Sequence, residues 1–147
     1  MAGNCPYVEQ LREACALVAE RIGQADRELV YQSRSGPPGD RWLEPDIRDH
    51  LRTLVRSGTV RDVVVAPLGF VCECMEIAYD LDVEVRQLCE ELGLRLVRAA
   101  AVGCHRRFVQ MIRELIQERL EENPTRLALG SHGPAPDVCA ADCCPPS

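Results

Sequence analysis

Apolar residues recur along the chain in two periods, and the change from one to the other divides it into elements. Over PYVEQLREACALVAERIG, from Pro6 to Gly23, the positions Val8, Leu11, Ala14, Cys15, Val18 and Ile22 fall at helical spacing. Asn4 suits the cap of this helix and Pro6 its first turn. RELVYQ, Arg27 to Gln32, reads as a short strand, and SRSGPPGDRW, Ser33 to Trp42, as a Gly/Pro-rich loop without regular structure. A second helix is marked by Ile47, Leu51, Leu54 and Val55, with Pro45 in its first turn and Gly58 as its stop. Val63, Val64 and Val65 form a β-branched run that ends at Pro67 and Gly69, as in a parallel strand covered on both faces. The next helix is expected from Glu73 to Leu92. Its apolar face is Cys74, Ile77, Ala78, Leu81, Val85, Leu88 and Leu92, and Gly93 stops it. Leu94 to Ala99 is a further short strand. His105 to Glu122 is a helix with Phe108, Met111, Ile112, Leu115, Ile116 and Leu120 turned inward.

Helices and strands therefore alternate. The fold class expected is α/β, a small parallel sheet with helices on both faces, because right-handed crossovers lay the helices against the sheet. Residues 1–122 form the α/β domain, and residues 123–147, rich in Pro, Gly and Ala, form an irregular tail. Ligands in such folds lie beyond the carboxyl ends of the strands. The loop after Gln32 and the turn after Pro67 both leave such ends, which places Trp42 and the Glu73–Leu92 helix at one crevice.

That helix has a second face. Glu73, Glu76, Asp80 and Glu84 recur at intervals of three, four and four. At about 100° per residue they make one stripe, roughly 110° from the centre of the apolar face. Like charges at this spacing cost a few tenths of a kcal/mol per pair. The stripe reads as a solvated face or as a cation-binding one.

Composition narrows the function classes. A chain of 147 residues with 46% hydrophobic positions suits one globular core. No segment approaches the ~20 apolar residues of a membrane span, and the first residues lack a signal-peptide pattern. The formal net charge of −6 disfavours a sequence-independent nucleic-acid binder. Nine cysteines, an odd number and three of them near the end, point to a reducing cytoplasm and to metal more than to a disulfide scaffold. Cys72 and Cys74 offer a C-x-C metal site or a redox pair, although Cys74 also falls on the apolar face as a small hydrophobe. Cys15 and Cys89 fit core positions, and His50 and His132 fit the surface.

Two segments, YQSRSGPPGDRWLEPDI from Tyr31 to Ile47 and VVVAPLGFVCECMEIAYDLDVE from Val63 to Glu84, resemble signature segments in the C-terminal half of ferrochelatases. The likeness runs from about Pro6 to Leu120. It is greatest to bacterial enzymes that insert iron into coproporphyrin or protoporphyrin. The family has two similar α/β halves around a porphyrin cleft. Its catalytic histidine lies in an Ala/Ser-His-Ser-Leu/Ile-Pro segment upstream of the matched region, and none of His50, His105 and His132 has that context. Where the family usually carries Ser-Asp-His, this sequence has Cys72, Glu73 and Cys74.

The resemblance implies a ferrochelatase-type lyase of haem biosynthesis that takes Fe²⁺ as substrate and uses a second half or partner subunit. It implies Glu76 and Asp80 as catalytic residues, and Glu76, Asp80 and Glu84 as a path for Fe²⁺, a role that carboxylates a helical turn apart suit chemically. It implies Trp42, Arg34 and Ser33 as porphyrin-binding residues, with Arg34 suited to a propionate. The tail cysteines Cys139, Cys143 and Cys144 resemble the cluster ligands of ferrochelatases that carry a [2Fe–2S] centre. Such a centre needs four thiolates, with Cys104 or Cys5 as a substitute fourth. The partners expected are a porphyrin and either a second copy of the chain or an N-terminal half; a peripheral membrane contact stays open and nucleic acid is excluded. The competing reading is a non-catalytic module that binds porphyrin, haem or an iron–sulfur cluster.

Overall fold

The computed structural model describes residues 7–34, 37, 39, 42–58, 60–139 and 141. Asn4, Cys5, Pro6, Cys143 and Cys144 lie outside the described residues. In chain order the elements are α1 (Tyr7–Ile22), α2 (Ile47–Ser57), β1 (Asp62–Val65), α3 (Met75–Ile77), a π-helical stretch (Ala78–Val85), α4 (Arg86–Leu92), β2 (Arg95–Arg98) and α5 (Arg106–Leu120). They fall into two compact units, Glu28–Gly103 and the terminal segments outside it.

The central unit holds the sheet. β1 and β2 pair in parallel, with Val63 opposite Leu96 and Val65 opposite Arg98. The crossover between them is the helical run from Met75 to Leu92, as the α/β reading requires. Its apolar face forms the core: Ile77, Leu81, Val85, Leu88 and Cys89 pack with Ile47 and Leu51 of α2 and with Leu94. Val63, Val65 and Leu96 pack against this cluster from the sheet. The alternate positions Val64 and Val97 are exposed, so the β-branched run is buried on one face instead of the two expected of it.

The strand expected over Arg27–Gln32 shrinks to one parallel bridge, Tyr31 to Asp46. Tyr31 N–H donates to Pro45 C=O, and Ile47 N–H donates to Tyr31 C=O. That bridge brings the start of the Gly/Pro loop to the start of α2. Asp46, not Pro45, is the boundary residue there. Its carboxylate accepts from Arg48 N–H and caps α2, and Pro45 precedes the cap, its bond to Glu44 cis. Gly58 ends α2 and Gly93 ends α4, each with φ above +60°, where glycine alone escapes the Cβ clash.

The terminal unit is thinly packed. Ala19 is the buried residue of α1, and Val18 and Ile22 of the expected inner stripe are exposed. α5 buries nothing fully: Met111, Ile112, Leu115, Ile116 and Leu120 are exposed, against the inward face expected of them. The helical period was right, but its apolar face stays uncovered. The tail is tied to α1, where Ser131 donates from both its backbone N–H and its hydroxyl to Glu13. These two bonds hold the Glu13 carboxyl below the usual carboxylate range.

Candidate active site

The middle of the crossover helix is not α-helical. From Ala78 to Val85 the backbone bonds run i→i+5, which widens each turn beyond about 3.6 residues. Residues four apart then drift less around the axis than in an α-helix. Glu76, Asp80 and Glu84 are spaced in this way, and all three line one cavity of about 500 Å³.

Glu73 leaves that row. It binds Arg98 at 2.7 Å and accepts the Ala101 N–H at 2.7 Å. Arg98 also forks onto Asp82, Nε to Oδ1 at 2.9 Å and Nη2 to Oδ2 at 2.7 Å. One guanidinium from the end of β2 thus ties the helix entry and the π-helical stretch together. The Ala101 N–H and Arg98 hold Glu73 below the usual carboxylate range, Arg98 does the same to Asp82, and the two carboxylates push Arg98 up.

The rest of the cavity comes from the loop and from α2: Gln32, Ser33, Arg34, Trp42, Asp46, Ile47 and Arg48, with Tyr79 and Val85 from the helix. All six residues assigned to metal path or porphyrin from the sequence, Glu76, Asp80, Glu84, Trp42, Arg34 and Ser33, therefore line one cavity. The Ser33 hydroxyl donates to Asp80 in a short hydrogen bond. Ser33 adopts φ +63°, a left-handed conformation rare for residues other than glycine and costly enough to mark a constrained position. Arg34 is exposed, Trp42 half-buried, and Glu76 exposed, with no hydrogen-bond or ion-pair partner among the described residues.

Asp46 and Arg48 were not singled out in the sequence. Asp46 is only 5% exposed. Burial opposes its ionisation, but the hydrogen bonds from the Arg48 side chain and backbone outweigh that and lower its pKa. The Arg48 fork lies at 3.2 Å from both carboxylate oxygens, and its Nη1 reaches Glu84 at 3.5 Å. An Asp directly before an apolar helical run is a capping signal and could have flagged Asp46. Nothing local in the sequence flags Arg48.

Among the described residues no group of three or more His, Cys, Asp or Glu side chains is arranged to hold a metal ion. The acidic row lines a cavity without closing into a chelate. Cys72 is exposed, and Cys74 packs against the core as a small hydrophobe. Cys139 is a free, exposed thiol; Cys143 and Cys144, the other two tail cysteines, lie outside the described residues. No helix among the described residues is long and apolar enough to cross a membrane.

A sequence model of the ferrochelatase family matches residues 1–120. The chain belongs to the ferrochelatase family. It is similar to a ferrochelatase of Rhodopirellula baltica, 50% identical over 144 residues, which are 98% of this chain and 41% of the relative. It is also similar to a coproporphyrin III ferrochelatase of Frankia alni, 48% identical over 95% of this chain and 37% of the relative. A coproporphyrin III ferrochelatase of Mycobacterium avium is 43% identical over 95% and 42%. The chain thus spans about two fifths of the length of the ferrochelatases it matches.

Proposed function

We propose that this chain supplies one wall of a site that inserts Fe²⁺ into a porphyrin, completed by an N-terminal half or a partner subunit. The observation that carries the reading is the single cavity lined by Glu76, Asp80 and Glu84 together with Trp42, Ser33 and Arg34. Insertion exchanges two pyrrole N–H protons for one divalent iron, so charge balances only if two protons leave. Carboxylates beside the ring serve as their acceptors. Glu76, which has no partner among the described residues, takes a proton or hands on Fe²⁺ most directly. Asp80 acts with its charge steadied by the Ser33 hydroxyl, and Glu84 relays outward. Carboxylate oxygens suit a hard, hydrated divalent ion that must be released again. The Trp42 indole offers a flat wall for the macrocycle, and the Arg34 guanidinium suits a propionate. The porphyrin of two relatives' names, coproporphyrin III, is the first substrate to try.

The test is anaerobic incubation of the chain, combined with the N-terminal half or partner subunit that completes the site, with Fe²⁺ and coproporphyrin III, followed by absorbance. Haem-type product should form at least ~10²-fold faster than with Glu76→Gln, the usual scale for a lost proton-transfer group. Equal rates would remove Glu76 from the chemistry. Quenching of Trp42 fluorescence by porphyrin with no insertion would instead favour a binding module.

A further inference from the structure

Arg48 stands between two carboxylates of different standing. Asp46 is buried and fixed as the cap of α2, and its two oxygens hold the Arg48 guanidinium at 3.2 Å each. Two planar forks matched in this way leave the guanidinium little freedom. Its remaining nitrogen lies 3.5 Å from Glu84, at the far end of the row that begins at Glu76. Both members of that outer pair are half-exposed, at 37% and 38%. A cation arriving from solvent can therefore reach Glu84, but it meets a fixed positive charge there.

We propose that Arg48 is a positioning residue that occupies Glu84 and competes with a divalent cation for it. The cavity then passes metal along instead of keeping it. This rests on the metal-insertion reading above. Without Arg48 the row carries one more free carboxylate and one less positive charge, and both changes favour retention of a divalent ion. A site meant for transfer must bind its cargo loosely, and a built-in counter-ion achieves that without removing the carboxylate. The role depends on the fork: a lysine in place of Arg48 cannot grip both oxygens of Asp46 and reach Glu84 together.

Mn²⁺ titration of the full chain, followed by the loss of the free-ion electron paramagnetic resonance signal, reads this directly. Arg48→Gln should bind Mn²⁺ roughly fivefold tighter than the unaltered chain, the scale of one partly exposed ion pair. Arg48→Lys should fall between them. Adding Glu84→Gln to Arg48→Gln should abolish the gain. Unchanged or weaker Mn²⁺ binding in a folded Arg48→Gln protein, or a gain that survives Glu84→Gln, overturns the assignment. Should Arg48→Gln fail to fold, Arg48→Lys carries the test, and no tightening of Mn²⁺ binding there overturns the assignment equally. Absence of any Mn²⁺ binding in every variant overturns it too. Porphyrin quenching of Trp42 reads the function separately. Quenching without an Arg48 effect sinks the Arg48 role alone, and an Arg48 effect without quenching supports that role while removing the porphyrin.

Discussion

Ser33 and Asp80, 47 positions apart in sequence, share a short hydrogen bond across the cavity. The bond joins the Gly/Pro loop to the π-helical stretch, the two segments that carry the family likeness. Ser33 itself adopts a backbone conformation that suits glycine better than any residue with a Cβ.

Two substitutions at Ser33 separate these effects. Both Ser33→Ala and Ser33→Gly delete the hydroxyl, but only glycine relieves φ +63°. Ser33→Gly should be the more stable of the two by about 1 kcal/mol, read from urea midpoints. Both should lose insertion activity to the same degree if the hydroxyl on Asp80 is what matters. Ser33→Gly retaining full activity would show that the bond only positions the loop.

Asp46 should be the most sensitive carboxylate for stability. It caps α2, is buried and holds Arg48. Asp46→Ala should cost about 2 kcal/mol, combining a lost cap with a stranded guanidinium. Asp46→Asn, which can still cap, should cost less. Glu76→Gln provides the contrast: with no partner among the described residues, it should change stability by no more than about 0.5 kcal/mol. Denaturant melts of the three variants check the order.

The acid limb of stability should depend on Arg98. Asp46, Glu73 and Asp82 all have folded pKa values below their ordinary ones. The unfolded chain therefore takes up protons first as pH falls. Their contribution is fully present above the ordinary carboxylate range, near pH 4, and is lost as pH drops through the lower folded values. Urea midpoints should be flat from neutral pH to about pH 5 and fall below it. Arg98→Gln should lower the midpoint at neutral pH and flatten the acid limb, because Asp82 loses the partner that lowers it and Glu73 keeps only the Ala101 N–H. An acid limb of unchanged slope would show that the Arg98 pairs are absent in solution.

The thiols should divide by burial. Burial raises the Cys89 and Cys15 thiols above their ordinary pKa, and Cys89 is 1% exposed. Cys72, Cys104 and Cys139 are exposed. Brief alkylation of the native protein followed by peptide mass mapping should label these three and spare Cys89 until denaturant is added. Cys89→Ser, which buries a hydroxyl in an apolar core, should destabilise by about 1–3 kcal/mol.

Periodicity alone was enough to locate α1, α2, the long crossover helix, β1, β2 and α5, because each is set by local spacing of apolar residues and by glycine stops at Gly58 and Gly93. The six candidate site residues came from the two segments that resemble the family, and one cavity is lined by all of them. Depth of burial was not legible. Val64 and the apolar face of α5 carry the right pattern yet stay exposed, since a pattern states which side is apolar and not whether anything covers it. The strand expected at Arg27–Gln32 became one bridge because pairing needs a neighbour in register, which no local sequence supplies.

The sequence placed Glu73, Glu76, Asp80 and Glu84 on one helix, but the helix begins at Met75 and leaves Glu73 ahead of it. Only the tertiary structure decided how they divide. Arg98, from the end of β2, draws Glu73 away, while Ser33 and Arg48, from the loop and from α2, engage Asp80 and Glu84. The reason is physical. Spacing along a helix fixes the direction of a carboxylate, but its partner comes from wherever the chain folds back, and that partner decides whether the carboxylate is held or left free.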